Sequence, residues 1–390
     1  MKLRETRRML PFTLALLASA TIIMLYLLCI NDALVYSSDT HSATQYQRKL
    51  LINKRNAICA PFDSEKDRPL IANISFHPSY NLYQYPASVP RVHRDPARHG
   101  PNPTPHLRII TINSKPEIRP IMCHTTLFSA ALNDIPLEVY GATPYFRDKT
   151  RGRGGKLDRL LPLLCAIDPT DAVLMVDAFD VIFQRGHADI AHTYFARWNS
   201  PRFVMSTELN CYPEDVEAVC GKSAQIPEAP LGGFPYANSG VLVGNVAAFV
   251  QVLDASLKVY EAGYKGGDQG AMAQVLYGNY AQGTSDEILL DHMSELSSSG
   301  HPPIPDFAFY QFQNKTYAVN PATMTVPSIV HLNGDSSKRK HYNGAKFRKL
   351  MYYLNGYGKI KPEYREKIEN YVVHVDGIPS RVGDLCLTHI

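Results

Sequence analysis

The segment Val173-Leu174-Met175-Val176-Asp177-Ala178-Phe179-Asp180-Val181-Ile182-Phe183 joins an apolar strand pattern to two acidic residues three positions apart. An unpaired charge is costly to bury, so a cation, most simply a divalent metal, would explain Asp177 and Asp180 at this strand end. The alternative is an ordinary junction in which the two aspartates cap a turn or the following helix. The segment alone supports the two interpretations about equally.

Strand and helix patterns alternate on both sides of this segment. Strands are predicted at Leu107–Ile112, Leu137–Tyr140, Val173–Val176 and Phe203–Ser206, and helices at Ile118–Leu132, Gly155–Ala166 and Ile190–Trp198. Such alternation predicts an α/β fold with a largely parallel sheet that is covered by helices on both faces. Ligands bind beyond the carboxyl ends of strands in these sheets, which is where Asp177 and Asp180 lie.

Composition allows a large core and argues against a nucleic-acid partner. The 390 residues are 45% hydrophobic, and 40 Lys and Arg against 36 Asp and Glu leave a formal charge of +4. No basic stripe interleaved with aromatic residues occurs in the body of the chain, so nucleic-acid binding is not expected.

The N-terminus has the pattern of a membrane anchor. Residues 11–30 are almost entirely apolar, long enough to cross a bilayer as a helix, and follow a basic segment, residues 1–10. The positive-inside rule then predicts a cytosolic tail, a signal anchor and a luminal or extracellular remainder. A cleaved signal peptide is the alternative, because Ala18-Ser19-Ala20 has the form of a cleavage site. The apolar run continues to Ile30, which favours the anchor.

Residues 31–105 are rich in proline and lack periodicity, which predicts a luminal stem, or alternatively a small cap on the folded body. Six cysteines follow the membrane segment and allow 15 pairings. Cys211 and Cys220 are close enough to staple a loop, whereas Cys165 on an apolar helix face is consistent with a buried thiol. Asn73 and Asn314 begin sequons.

A series of short motifs follows residue 106 in one order. They are Gly155-Lys156, Asp177-Ala178-Phe179-Asp180, Phe203–Glu208 with Cys211-Tyr212-Pro213-Glu214, Asn238-Ser239-Gly240, Asp268-Gln269 with Leu290-Asp291-His292, and His331-Leu332-Asn333-Gly334. In this order the chain, over roughly residues 107 to 340, resembles the glycosyltransferase domain of the procollagen lysyl hydroxylases. The resemblance implies a GT-A type fold in residues 106–390, Rossmann-like, with a UDP-sugar donor and a manganese ion.

The resemblance also implies roles for individual residues. The implied metal ligands are Asp177, Asp180 and His331, and adding an imidazole to two carboxylates favours Mn²⁺ over Mg²⁺ or Ca²⁺. Implied nucleotide contacts are Ser114, Lys156, Phe179, Asn333, Gly334 and Lys338, with Ser337 as the alternative to Lys338. Implied catalytic or sugar contacts are Asn238, Asp268, Gln269 and Asp291. For these four a structural role is the alternative, because Asn238 suits a turn and Asp268 a helix N-terminus.

The chain departs from the family pattern at two places near these motifs. Lys265-Gly266-Gly267 stands where the relatives have an acidic run, and Tyr212 stands where they have a tryptophan. The hydroxylase domain of the relatives is not expected here, so lysyl hydroxylation is not predicted.

Together these features predict a single-pass type II membrane glycosyltransferase of the Golgi or ER with its catalytic domain in the lumen. It would move a hexose from a UDP-sugar to a hydroxyl of a glycan or glycoprotein. The resemblance implies retention at the anomeric carbon, whereas inversion would need a general base, for which Asp268 is the candidate. The alternative is a non-catalytic module that binds a sugar nucleotide or a glycan.

Overall fold

The computed structural model describes residues 50–62, 107–115, 117–141, 156–198, 202–222, 224–264, 266–282, 288–300, 307–312, 315–333 and 362–386. The chain divides into two compact units, Met1–Asn53 and Lys54–Ile390. In the first unit, residues 50–53 are helical. The predicted membrane segment, the sequon asparagines Asn73 and Asn314 and most of the predicted stem lie outside the described residues. Within those residues, no helix combines the length and apolar character needed to cross a bilayer.

The second unit is built on an eleven-stranded sheet. The strands are β1 Leu107–Ile112, β2 Leu137–Tyr140, β3 Ala172–Asp177, β4 Val181–Phe183, β5 Phe203–Glu208, β6 Tyr236–Asn245, β7 Ile288–Leu290, β8 Ser297–Ser299, β9 Ala308–Phe312, β10 Lys315–Val319, β11 Ile329–His331, β12 Val372–Val375 and β13 Ile378–Arg381. Their order in the sheet is β13-β12-β2-β1-β3-β6-β5-β8-β11-β4, with β7 also paired to β5. Strands β9 and β10 form a separate two-stranded sheet.

Helices connect the strands. They are α1 at residues 54–59, α2 Pro120–Met122, α3 Phe128–Leu132, α4 Lys156–Cys165, α5 His187–Trp198, α6 Glu217–Cys220, α7 Val246–Glu261, α8 Gly267–Ala281, α9 Pro362–Asn370 and α10 Val382–Cys386. A π-helical turn, Cys123–Leu127, joins α2 to α3. The predicted helix Ile118–Leu132 is therefore helical in its described part from Pro120 onward, but not uniformly α-helical.

Successive residues of the central strands pack on opposite faces of the sheet, as the two-residue period of a strand requires. Ile110, Val173 and Leu242 pack with α4, α7 and α8. Ile109 and Leu174 belong to a second core with α3, α5, α9 and α10. Both faces are thus covered by helices, as predicted, and this explains why the central strands are apolar throughout.

The sheet is mixed, whereas the sequence predicts a largely parallel one. Strand β6 runs antiparallel to both β3 and β5, and β4 runs antiparallel to β11. A parallel crossover needs a connection of a dozen or more residues, usually a helix. The three residues between β3 and β4 are too few for such a crossover. The mixed α/β architecture fits the GT-A type fold that the resemblance implies.

The second unit contains three disulfides: Cys59–Cys165 and Cys123–Cys386 join distant parts of the chain, and Cys211–Cys220 closes a short loop. The loop staple Cys211–Cys220 is confirmed. The interpretation of Cys165 as a buried thiol is wrong, because α1 supplies a partner from within the predicted stem. Arg55 of α1 strengthens this attachment by donating to the carbonyl oxygen of Ile167 at 3.1 Å.

Candidate active site

Asp177, Asp180 and His331 meet at the carboxyl edge of the parallel strands. Asp177 ends β3, Asp180 precedes β4, and His331 ends β11, where it is paired with Val181. Nε2 of His331 is 3.6 Å from Oδ2 of Asp177 and 3.6 Å from Oδ1 of Asp180. One ligand atom from each of the three residues lies within 4.8 Å of the others. We call these three residues the metal group.

The metal group fits a divalent cation. His331 is only 2% exposed, yet neither of its ring nitrogens has a hydrogen-bond partner. Buried polar groups without hydrogen-bond partners are rare and costly. A bound cation would supply the partner that this imidazole lacks. Burial lowers the pKa of His331, but the charges of Asp180 and Asp177 outweigh that effect and raise it. Burial raises the pKa of Asp177. The rise in the pKa of His331 comes from the two carboxylates, whereas the rise for Asp177 comes first from burial, with the charge of Asp180 adding to it.

Gly240 makes room for the imidazole of His331. The pairing of β5 with β6 shifts between Met205 and Ser206, so that Ser239, Gly240 and Val241 are left out of the β5–β6 ladder. A Cβ atom at Gly240 would lie 1.9 Å from Cε1 of His331. Only glycine fits here, which gives the Asn238-Ser239-Gly240 motif a steric reason. Irregularities of this kind occur often beside active sites.

Two buried threonines hold the loop that carries Asp177 and Asp180. Thr126 donates from its hydroxyl to the carbonyl oxygens of Ala178 and Val181, at 2.9 and 3.2 Å. Thr125 shares its hydroxyl proton between the carbonyl oxygens of Ile121 at 2.7 Å and Phe179 at 3.2 Å. Both threonines lie in the π-helical turn, a feature that is frequent at functional sites. Cys123 of the same turn is bonded to Cys386, so this loop is supported from the C-terminal helix α10.

Lys156 connects the metal group to Asp268. Its Nζ lies 2.9 Å from Oδ1 of Asp177 and 2.9 Å from Oδ2 of Asp268, and it donates to the carbonyl oxygen of Ser239 at 2.9 Å. Burial lowers the pKa of Lys156, but the two carboxylates outweigh burial and raise the pKa above its usual value. Burial raises the pKa of Asp268, yet Lys156 outweighs burial and holds it below the usual range. The pair is therefore charged at neutral pH.

A second group surrounds Glu208, which ends β5 and is 4% exposed. Its Oε1 accepts hydrogen bonds from the amides of Asn238 at 3.0 Å and Gln269 at 2.6 Å. Its Oε2 accepts one from the amide of Asn333 at 2.7 Å. We call these four residues the Glu208 cluster. The structure thus brings together three residues predicted as sugar or nucleotide contacts, around a fourth that has no predicted role.

The remaining predicted residues lie apart from these contacts. The carboxylate of Asp291 accepts from the backbone amides of Glu295, Leu296 and Ser297, each at 2.9 Å, and burial raises its pKa to about 7. These bonds hold the turn that enters β8. Phe179 packs partly on the core, and Ser114 is exposed after β1. Sugar and nucleotide contacts of these three stay predictions, and Gly334, Ser337 and Lys338 lie outside the described residues.

Sequence reasoning missed Glu208, Thr125 and Thr126. Glu208 has a usable signal, since it is a carboxylate at the end of an apolar strand, as Asp177 is. The threonines have none, because more than fifty residues separate them from the loop they hold. Together the site offers a place for a cation, an adjacent ammonium and a set of carboxylates and amides. Such a set can bind a phosphorylated, hydroxyl-rich ligand.

Two solved glycosyltransferase structures are weakly similar to this chain. Among solved structures, the glycosyltransferase involved in glycosylation of the major capsid of PBCV-1 is 12% identical, covering 63% of this chain and 98% of its own, with a TM-score of 0.37. Mouse xyloside xylosyltransferase 1 is 11% identical, covering 59% of this chain and 98% of its own, with a TM-score of 0.35.

Sequence relatives are more specific. The Caenorhabditis elegans multifunctional procollagen lysine hydroxylase and glycosyltransferase is 28% identical over 264 residues, which are 62% of this chain. The match spans 33% of that relative's length. The family model described as "PLOD GT domain" matches residues 105–355, more than half of the 390 residues, and this range includes every member of the metal group and the Glu208 cluster. The chain therefore belongs to the PLOD glycosyltransferase (GT) domain family.

Proposed function

We propose that this protein is a metal-dependent glycosyltransferase that moves a hexose from a UDP-sugar to a hydroxyl of a glycan or glycoprotein. The observation that carries the proposal is the buried imidazole of His331, which has no hydrogen-bond partner and lies beside Asp177 and Asp180. Membership of the PLOD GT domain family supplies the reaction class.

The metal group would hold Mn²⁺, which as a Lewis acid stabilises negative charge on a departing diphosphate. Lys156 adds a fixed positive charge on the same side of Asp177, because its ammonium stays protonated between two carboxylates. If Asp177 served as a metal ligand, the N–H groups of Lys156 would be available to donate to phosphate oxygens. Lys156 and the metal group would therefore both contact the diphosphate of the donor.

Asp268 supports retention at the anomeric carbon. A general base works best when its pKa lies near the working pH. Lys156 holds the pKa of Asp268 below the usual carboxylate range, so Asp268 is a poor proton acceptor. Its ionised carboxylate is instead suited to accept a hydrogen bond from a sugar hydroxyl. A retaining reaction needs no separate protein base, because the leaving phosphate can take the acceptor proton.

We also propose that the domain works in the lumen of the Golgi or ER, held there by residues 11–30 as a type II anchor. The three disulfides of the second unit support an oxidising compartment. A protease-protection assay on microsomes from cells that express the full chain tests this orientation. Digestion of the folded domain in intact vesicles would contradict it.

The direct test measures hydrolysis and transfer from a panel of UDP-sugars by the detergent-solubilised full chain, with and without Mn²⁺. We expect Asp177→Ala and Asp180→Ala each to abolish Mn²⁺-dependent turnover. Asp254→Ala removes an aspartate that pairs with Lys258 on the surface of α7, and serves as the matched control. Undiminished turnover in either site variant would rule out the metal group. Binding of UDP without turnover across the panel would instead support a sugar-nucleotide-binding module.

A further inference from the structure

Glu208 is a buried carboxylate that is held by amides rather than by a cation. Three side-chain amides donate to it, from Asn238, Gln269 and Asn333. No Lys, Arg or His among the described residues forms an ion pair with it. Burying a carboxylate without a counter-ion is costly, and three charge-assisted hydrogen bonds offset that cost only if all three are made. The charge therefore fixes the orientation of its neighbours.

A carboxylate can only accept hydrogen bonds, so it forces each amide to turn its NH₂ group inward. The amide oxygens then face the opposite way and accept in turn. Oδ1 of Asn238 accepts from the backbone N–H of Gly240 at 2.9 Å. Oε1 of Gln269 accepts from the backbone N–H of Ser239 at 3.3 Å. Oδ1 of Asn333 accepts from the hydroxyl of Ser299. One charge thus sets the hydrogen-bond direction in three parts of the fold, which are β6, the start of α8 and the residues after β11.

These three parts carry the residues of the proposed chemistry. Asn333 is two residues after the metal-group member His331, and Gln269 directly follows Asp268. The backbone amides of Ser239 and Gly240, to which the cluster is bonded, adjoin Lys156 and the imidazole. Glu208 lies at the centre of these connections and belongs to a different strand, β5.

We propose that Glu208 is a positioning residue of the active site, which fixes the metal-group strand β11 and the Asp268 end of helix α8 relative to each other by orienting three amides. The inference rests on the proposed glycosyltransferase function for its kinetic readout. It assigns no proton transfer and no substrate contact to Glu208. The positioning role requires one carboxylate that faces three NH₂ groups.

An exchange of charge between Glu208 and Asn333 tests this requirement. In Glu208→Gln, whichever way the new amide turns, its NH₂ group faces at least one NH₂ group of the cluster. In Asn333→Asp, two carboxylates face each other. In the double variant Glu208→Gln/Asn333→Asp, the new amide at position 208 donates to the new carboxylate at position 333, and its oxygen still accepts from Asn238 and Gln269. The hydroxyl of Ser299 keeps an acceptor throughout.

We expect each single variant of the full chain to lower kcat at least about 10-fold, with the KM for the UDP-sugar changed less than about threefold. The double variant should recover most of the lost kcat. Glu208→Asp keeps the charge on a shorter side chain and should fall between wild type and Glu208→Gln, which preserves the test if a charge-changing variant does not fold. Calorimetric affinities for Mn²⁺ and for UDP, measured on the same variants, report on the site without turnover.

The matched control is Glu138→Gln, which changes a carboxylate of similar burial that pairs with Arg108 at 2.9 Å. It should lower the thermal midpoint and leave kcat unchanged in enzyme assayed below that midpoint. A double variant no better than the worse single variant would overturn the proposal, as would single variants that lose only thermal stability. A wild-type chain that turns over no donor would instead refute the proposed function. In that case, loss of Mn²⁺ affinity in Glu208→Gln with recovery in the double variant would still support the positioning role.

Discussion

The metal group and the Glu208 cluster lie at the same edge of one sheet and differ in how their buried polar atoms are satisfied. In the metal group, neither ring nitrogen of His331 has a hydrogen-bond partner, and the carboxylates of Asp177 and Asp180 each lie 3.6 Å from Nε2. In the Glu208 cluster, both carboxylate oxygens are occupied by amides at 2.6 to 3.0 Å. The first group is incomplete without a ligand, whereas the second is complete in the protein alone.

This difference determines how each group is held in place. The Glu208 cluster is held by its own hydrogen bonds, which satisfy every member. The metal group contains mutual repulsion and must be held from outside. The outside supports include Gly240, which leaves room for the imidazole, the hydroxyls of Thr125 and Thr126, and the disulfide between Cys123 and Cys386. Removing an outside support should therefore weaken metal binding and leave the Glu208 cluster intact.

Gly240→Ala should have the largest effect on the metal group. Its Cβ atom would lie 1.9 Å from the imidazole of His331, so the ring must leave its position. We expect Mn²⁺-dependent turnover to fall about 1000-fold, equivalent to about 4 kcal/mol of transition-state stabilisation. Calorimetric titration with Mn²⁺ should show no high-affinity site.

Gly278→Ala is the control for this variant, because a Cβ atom at Gly278 in α8 meets no atom within 4 Å. An alanine there should stabilise the helix by about 0.5–1 kcal/mol and leave metal binding unchanged. Wild-type Mn²⁺ affinity in Gly240→Ala would show that His331 is not a ligand.

The double variant Cys123→Ser/Cys386→Ser should have the next largest effect on the metal group. The disulfide closes a loop of 263 residues, and chain-entropy reasoning predicts a loss of about 5–6 kcal/mol in the free energy of unfolding. The π-helical turn then loses its bond to α10, so Mn²⁺ affinity should fall as well. Urea unfolding and Mn²⁺ titration check both effects.

Cys211→Ser/Cys220→Ser is the matched comparison, because that disulfide closes a loop of only nine residues. It should cost about 2–3 kcal/mol and leave Mn²⁺ affinity unchanged. Equal losses of affinity in the two double variants would show that the disulfides act through overall stability alone.

Local patterns in the sequence predicted what local physics controls. The apolar run ending at Asp177 predicted a buried strand with a carboxylate at its end, and the leucines of Leu157–Leu164 predicted a helix. Placing His331 with Asp177 and Asp180 required the family resemblance, since more than 150 residues separate them. The direction of β6 was not predicted, because strand direction depends on how a connection returns to the sheet rather than on periodicity.

Hydrogen-bond partners across the fold were the least predictable feature. Asn238, Gln269 and Asn333 were each predicted as ligand contacts, yet the structure has each donating to Glu208. A sequence indicates that an amide lies near the site and cannot indicate which neighbour its NH₂ group faces. The partner of Cys165 was also not predictable, because Cys59 lies in a proline-rich segment without periodicity.

Thr126→Val should have the smallest effect and gives the finest test of outside support. Valine keeps the shape of threonine and removes the hydroxyl that donates to the carbonyl oxygens of Ala178 and Val181. Two buried acceptors then lose a partner, which should lower the free energy of unfolding by about 1–3 kcal/mol.

Because those carbonyls belong to the loop of Asp177 and Asp180, Mn²⁺ affinity should fall about three- to tenfold in the same variant. The control is Thr193→Val, which removes a hydroxyl that donates to the carbonyl of Asp189 on the surface of α5. A Thr126→Val protein that loses stability yet binds Mn²⁺ as tightly as wild type would mean that the loop keeps its shape unaided. The metal group would then resemble the Glu208 cluster in holding itself together, and the repulsion between its carboxylates would be too weak to require support.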